Sequence, residues 1–349
     1  MATYQSKIMA RSPYYITAQG SAYILSAELK VWIWSNDKTA RPTLPNYTIS
    51  KDALTTTSVD ITFEISGLIR DYFDHRGNAY DLGSGAFTDA LWVETELDVV
   101  QSTAPQPSTV NNLYIALDGF GYFNEGVNTQ GGYVTTNTLN VLSDDNVKIP
   151  LYVNTDGIDE LRTYLNGVLV DTITYTTEIA SVYPYYKVQL VTITDTIDEI
   201  RLYNTSILQE TIAVNYVDEC KFTPKVIGFI NKNGLLQEVT MFKKSVESIT
   251  VQKEVYNSIT GKVTAGNFGY NIYNHQFKDY NLTARERITL NSGFVNESQK
   301  EVFKQIMLSE RVWIDQAPVS VASNSLEYKT RANDKNINYT LDFIYANYV

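Results

Sequence analysis

The chain has 349 residues, 44% of them hydrophobic, with a mean hydropathy of −0.21. That is too long for one ordinary domain and apolar enough to bury real cores, which excludes a disordered chain. Its 28 Lys and Arg against 39 Asp and Glu give a formal charge of −11, and no basic run exceeds Lys243-Lys244, so a nucleic-acid footprint is excluded and an anionic membrane surface is disfavoured.

From the amino terminus, "MATYQSKIMARSPYYITAQG" holds no continuous apolar stretch of the kind a signal peptide needs. Nowhere do 18 apolar residues run together, so no transmembrane helix is expected. Period-2 alternation then dominates the chain. Trp32 and Trp34 share one face of a strand, opposite Leu29, Val31 and Ile33. In 59–65 the residues Val59, Ile61, Phe63 and Ile65 lie on one side, with Asp60, Thr62 and Glu64 on the other. In 91–99, Leu91, Val93, Leu97 and Val99 oppose Trp92, Glu94, Glu96 and Asp98. One dry face and one wet face per strand is the pattern of antiparallel sheets. The Pro-, Ser- and Thr-rich 101–112 reads as a long hairpin loop between two strands.

Further on, "IDELRTYLNGVLVDTI" (158–173) aligns with "IDEIRLYNTSILQETI" (197–212), which predicts two related hairpin units. Asn166-Gly167 and Asn233-Gly234 each read as two-residue hairpin turns, because both residue types tolerate positive φ. A helix is predicted over 296–309: Asn296 and Gln299 fit a capping box, and Val302, Phe303, Ile306 and Met307 form an apolar stripe. It is flanked by strands at 286–291 and 311–315. A last strand, 337–345, places Ile337, Tyr339, Leu341, Phe343 and Tyr345 together.

Motifs for chemistry are missing: there is no HExxH, CxxC, GxSxG or phosphate-binding loop. Gly119 and Gly121 in "LDGFGYFNEG" read as turn glycines. His75 and His275 carry no ligand spacing, and "SDDN" (143–146) lacks that of a calcium loop. The pairs Asp159/Glu160 and Asp198/Glu199 could suggest a glycosidase, but neighbours in a strand point to opposite faces. Glu160 with Arg162, and Glu199 with Arg201, share a face instead. Cys220 is the only cysteine, so no disulfide forms within the chain, as suits synthesis in a reducing cytosol. No catalytic residue, metal or cofactor is expected.

Three stretches carry a resemblance: "DECKFTPKVIGFINKNGLLQEVTMFKKS" (218–245), "RITLNSGFVNESQKEVFKQIMLSERVWI" (287–314) and "NDKNINYTLDFIYAN" (333–347). Together they resemble virion proteins of tailed bacteriophages, most of all minor tail or tail-tip components from phages of Bacteroidetes-type hosts. The resemblance covers roughly residues 215–349. "SPYYI" and "LDGFGYFNEG" resemble the β-sandwich part of the same proteins. It implies a structural part of a virion tail, assembled in the host cytoplasm, with further copies of itself and other tail proteins as partners. It implies no catalytic residues.

The expected fold is mainly β, with tandem antiparallel β-sandwich-like domains. An immunoglobulin-like sandwich is expected over 1–145 and a small sandwich with the two related hairpins over 146–224. A β-rich domain with one short packing helix is expected over 225–349. An alternative function is carbohydrate binding at a host surface. Its motive is the chain's aromatic wealth, 26 tyrosines among it, and its candidate surface is Trp32, Trp34, Trp92, Tyr183, Tyr185 and Tyr186.

Overall fold

The computed structural model describes residues 3–347 apart from 21–22, 36, 54–59, 75–85, 88–89, 126–136, 143–145, 153–157, 176–185, 193–196, 219–220, 260 and 326–336. His75, most of "SDDN", Tyr183, Tyr185 and Cys220 lie outside the described residues. The fold is mainly β, built as successive sheets.

The first part contains β1 (Thr3–Met9), β2 (Tyr15–Gln19), β3 (Ile24–Trp34), β4 (Tyr47–Asp52), β5 (Asp60–Glu64), α1 (Ser66–Asp74), β6 (Ala86–Phe87), β7 (Leu91–Gln101) and β8 (Ala104–Leu117). Five of these strands make a sheet in the order β1-β8-β7-β3-β4. One face of it, carrying Leu29, Val31, Ile33, Val93 and Leu97, packs on Ile61 and Phe63 of β5 and on Ile69 and Phe73 of α1. The β1–β8 pair is parallel, a departure from the antiparallel expectation at the sheet's edge.

Residues 101–112 are not a long loop. β7 and β8 meet in a tight turn, with Gln101 opposite Ala104. Pro105 and Pro107 are tolerated because β1 pairs with β8 only from Asn112 onward, and the β7 register is irregular between Val99 and Gln101. A proline costs a ladder hydrogen bond only where a neighbour needs its N–H.

The middle part holds β9 (Thr138–Val141), β10 (Asn146–Leu151), β11 (Glu160–Leu165), β12 (Val168–Thr174), β13 (Tyr186–Thr192), β14 (Glu199–Asn204) and β15 (Ile207–Tyr216). Both predicted hairpins form, and they lie side by side in one sheet, β12-β11-β14-β15-β9, whose last pair is parallel. Asn166 and Gly167 have φ of 50° and 77°, and the equivalent Thr205 and Ser206 have 48° and 63°. Positive φ at both central residues matches the right-handed twist of the strands they join.

The last part comprises β16 (Lys225–Ile230), β17 (Leu236–Met241), β18 (Val246–Asn257), β19 (Gly261–Thr264), β20 (Asn267–Tyr270), β21 (Phe277–Val295), α2 (Lys300–Leu308), β22 (Val312–Ile314), β23 (Ala317–Val321) and β24 (Ile337–Tyr345). A seven-stranded sheet runs β17-β16-β22-β23-β24-β21-β18. Val302, Phe303 and Ile306 of α2 pack on Phe229, Ile288, Leu290, Leu341 and Phe343, so the apolar stripe lies on the sheet as expected. The Phe303 and Tyr339 rings sit 4.5 Å apart.

Two local expectations are corrected here. The helix begins as a 3₁₀ turn over Glu297–Gln299, and Asn296 makes no side-chain cap. Gln299 does not reach back; its amide donates to the carbonyl of Thr138 on β9, at 2.6 Å. Asn233-Gly234 is part of a five-residue loop, because Ile230 pairs with Leu236. There Asn231 Oδ1 accepts the N–H groups of Asn233 and Leu235, each at 3.0 Å, and only Gly234 has positive φ.

Candidate functional site

The three tryptophans of the aromatic surface anticipated for sugars are not exposed. Trp32, Trp34 and Trp92 are 4%, 7% and 4% accessible, in one core with Ile149, Leu151, Tyr152, Leu161 and Ile200 of the middle part. The five-stranded sheet is thus dry on both faces at its tryptophan end, where alternation had suggested one wet side. Trp34 and Trp92 lie 6.5 Å apart, the Arg41 guanidinium lies 3.9 Å from the Trp32 ring centroid, and Trp34 Nε1 donates to the Asp37 carbonyl at 3.0 Å. Tyr186 opens β13 and pairs through its backbone with Phe87.

The paired carboxylates are also accounted for. Arg162 faces Arg201 across the β11–β14 ladder, and the two are equivalent positions of the repeated hairpins. A local twofold axis therefore passes between them. Each arginine forks onto the glutamate two residues before it, at 2.9 and 2.8 Å in both copies. Those bonds hold both guanidiniums above their already high ordinary pKa. Arg162 also covers the Tyr203 ring at 4.2 Å, and Arg201 the Tyr164 ring at 4.1 Å. Asp159 Oδ2 accepts the Thr205 N–H of the other hairpin's turn, and Asp198 Oδ2 accepts the Asn166 N–H, each at 2.7 Å. All four carboxylates are engaged in holding the repeat together. Among the described residues, no group of three or more His, Cys, Asp and Glu is placed to hold a metal ion, and no helix is long and apolar enough to cross a membrane.

A buried joint links the last part to the first. Gly119 lies so close to the 231–235 loop that a Cβ there would fall 2.6 Å from the Lys232 carbonyl and 2.6 Å from Met9 Sδ. The Phe120 N–H donates to that same carbonyl at 2.7 Å. Gly119 is therefore more than a turn residue; it permits two backbones to touch. Asp118 and Arg311 pair at 2.5 Å across this joint; burial pushes the Asp118 carboxyl up, and Arg311 opposes it. The polar side of α2 joins in. Glu301 accepts from Tyr122 Oη at 2.6 Å, Gln305 Oε1 accepts the Lys232 N–H at 2.8 Å, and the Leu308 carbonyl accepts from Arg11 at 2.8 Å. The helix is a strut with two ends of purchase: its apolar stripe on its own sheet, its polar side on the first part.

One surface remains, and sequence reasoning did not single it out. β18 and the first half of β21 run on past the seven-stranded sheet as a two-stranded ribbon, with β19 and β20 beyond. Among the described residues of 246–287 none is buried. The ribbon is nonetheless well built. Lys253 pairs with Asp279 at 3.1 Å, and the Tyr256 and Tyr280 rings meet edge to face at 5.6 Å. Hydrogen bonds from Tyr280, then from Asn281, hold the Glu254 carboxyl below its ordinary range. At the far hairpin, Ala265 and Gly266 take φ of 52° and 82°, and the Phe268 ring lies over Gly261, where a Cβ would collide with it. A signal for it was present in the sequence: an alternating run from 246 to 256 and another from 277, with no proline between them.

Searched against protein-family models, the chain matches none, and no curated protein matches it.

Proposed function

We propose that this chain is a non-enzymatic structural subunit of a tailed-bacteriophage virion, a tail, tail-tip or baseplate component that assembles into a symmetric oligomer. The observation that carries the assembly part is the 246–287 ribbon. Half of the large exposed hydrophobic residues among those described, fourteen of twenty-eight, lie on it. A monomer gains nothing from such a surface and risks aggregation through it. A subunit of a closed assembly uses it as contact area. The resemblance of 218–245, 287–314 and 333–347 to phage tail components supplies the setting, and those stretches frame the ribbon.

The cross-braced body suits the same role. A part that transmits geometry between neighbours needs units that do not swing, and the tryptophan core and the α2 strut join all three parts. Burial of Trp32, Trp34 and Trp92 takes these three tryptophans from the surface that the sugar-binding reading named. The test is to purify particles of the phage that encodes this chain and reconstruct their image. Density for the chain in the tail, in copies related by the tail axis, is the expected result. Its absence from the particle would end the phage reading.

A further inference from the structure

We infer that the 246–287 ribbon lies across the body of a second copy of this chain, an arm given by each subunit to its neighbour. This deepens the assembly part of the reading above and rests on it.

Charge is the first argument. The ribbon holds Lys253, Lys262, Lys278, Arg285 and Arg287 against Glu247, Glu254, Asp279 and Glu286, a net of +1. The whole chain carries −11, so the remainder carries −12. The arm is thus an exposed apolar surface whose net charge is opposite to that of the body. A second body attracts it, whereas two bodies repel each other away from the arm. The same balance disfavours a membrane as occupant, since the far hairpin, 261–270, offers only Lys262 as a cation.

Size and shape are the second argument. The nine residues of β18 beyond the sheet, 249–257, make a ribbon on the order of 30 Å long at strand rise before the β19–β20 hairpin is reached. Two strands are about 10 Å wide, so each face of such a ribbon offers about 300 Å², and its two faces with the far hairpin approach the roughly 800 Å² per partner of a standard protein interface. Apolar groups are spread along it, from Ile249 and Val251 near the body to Phe268 and Tyr273 at the far end, 72% and 86% exposed. A surface distributed over that length fits an extended track on a neighbour rather than a compact pocket.

Order is the third. The ion pair, the aromatic pair and the positive-φ turn fix the ribbon's conformation within its own chain. Docking then costs little ordering entropy, which a disordered tail would have to supply. The contact is heterologous, arm to body, and contacts of that kind close into rings when the rotation permits.

The experiment compares three purified chains by light scattering coupled to size exclusion. They are the full chain, a chain with 249–286 replaced by Asn-Gly, and Arg285→Glu/Arg287→Glu. Ser248 and Arg287 are cross-strand partners, so a two-residue turn bridges them without disturbing the sheet. The expected result is a discrete oligomer for the full chain that dissociates as salt rises. The armless chain should be monomeric with the melting temperature that the full chain shows when diluted to monomer, and the charge-reversed chain should assemble at least about tenfold more weakly. A monomeric full chain overturns the inference, and so does an armless chain that still assembles. Should the armless chain fail to fold, the charge-reversed one decides, since both its substitutions are exposed. Arm-dependent oligomers from a chain absent from particles would sink the phage reading alone. A chain present in particles that assembles without its arm would sink this inference alone.

Discussion

The repeated hairpins at 158–212 and the ribbon at 246–287 are made of the same material, alternating strands closed by positive-φ turns, and they end in opposite situations. In the first, Leu161 and Ile200 are fully buried, and every carboxylate of the two Asp-Glu pairs has a partner across or along the sheet. In the second, cross-strand pairs of similar quality form, but no described residue is buried. The difference shows that strand pairing and burial are separable. The repeat is covered because its Leu161 and Ile200 share a core with the tryptophan face of the first part, and the ribbon is bare because, among the described residues, nothing in its own chain covers it.

The comparison is sharpest where burial is complete. Leu161→Ala and Ile200→Ala, at equivalent positions of the repeat, should each cost about 2–5 kcal/mol in urea unfolding. Similar values would show that the local twofold axis is energetic as well as geometric; a several-fold disparity would show that one hairpin carries the sheet. Gly119→Ala at the joint forces atoms apart between two backbones and should cost about 1–3 kcal/mol. A stability loss near zero there would mean that the side-chain contacts across the joint, Asp118 with Arg311 and Tyr122 with Glu301, hold the two parts without the backbone contact.

Smaller effects are expected on the partly exposed face of the repeat. Arg162→Ala and Arg201→Ala each remove a forked ion pair and a ring contact, and each should lower the urea midpoint by less than Gly119→Ala does. Because the two arginines face one another, the double variant tests whether the copies act separately or as a unit. On the ribbon, Ile249→Ser should leave the stability of the dissociated subunit within about 0.5 kcal/mol. A loss as large as that of Leu161→Ala would mean that the ribbon is as much a part of the folded core as the repeat.

The slightest effect expected concerns acid. Tyr280 and Asn281 hold Glu254 below its ordinary pKa, so their contribution is present above that ordinary value. It is lost as the pH falls through the lowered folded value. A carboxyl titration followed by NMR should place Glu254 below the ordinary glutamate range, and Tyr280→Phe should return it toward the ordinary value.

Much of this was legible in the sequence. The strand at 337–345, the apolar stripe of α2, the Asn166-Gly167 turn and the repeat all follow from residue spacing, because they are local. α1 was missed although Ile65, Ile69 and Phe73 recur every four residues, since nine residues beside a strongly alternating strand give a weak helical signal. The 101–112 stretch was misjudged because its prolines look like loop residues until the missing neighbour is known. Asn296 and Gln299 fit a capping box by type, and a distant carbonyl on β9 took Gln299 instead.

The tryptophans and the ribbon mark where local reading stops. Alternation assigns a residue to a face and is silent on what covers that face. By itself the sequence determined which segments become strands, where the tight turns fall, that one hairpin is repeated, and that α2 has an apolar side. Only the tertiary structure decided that the tryptophan face is roofed by the middle part and that Gly119 touches a second backbone. It alone also left 246–287 uncovered. Periodicity arises between neighbours in the chain, whereas burial is set by contacts between residues that the chain's order does not bring together.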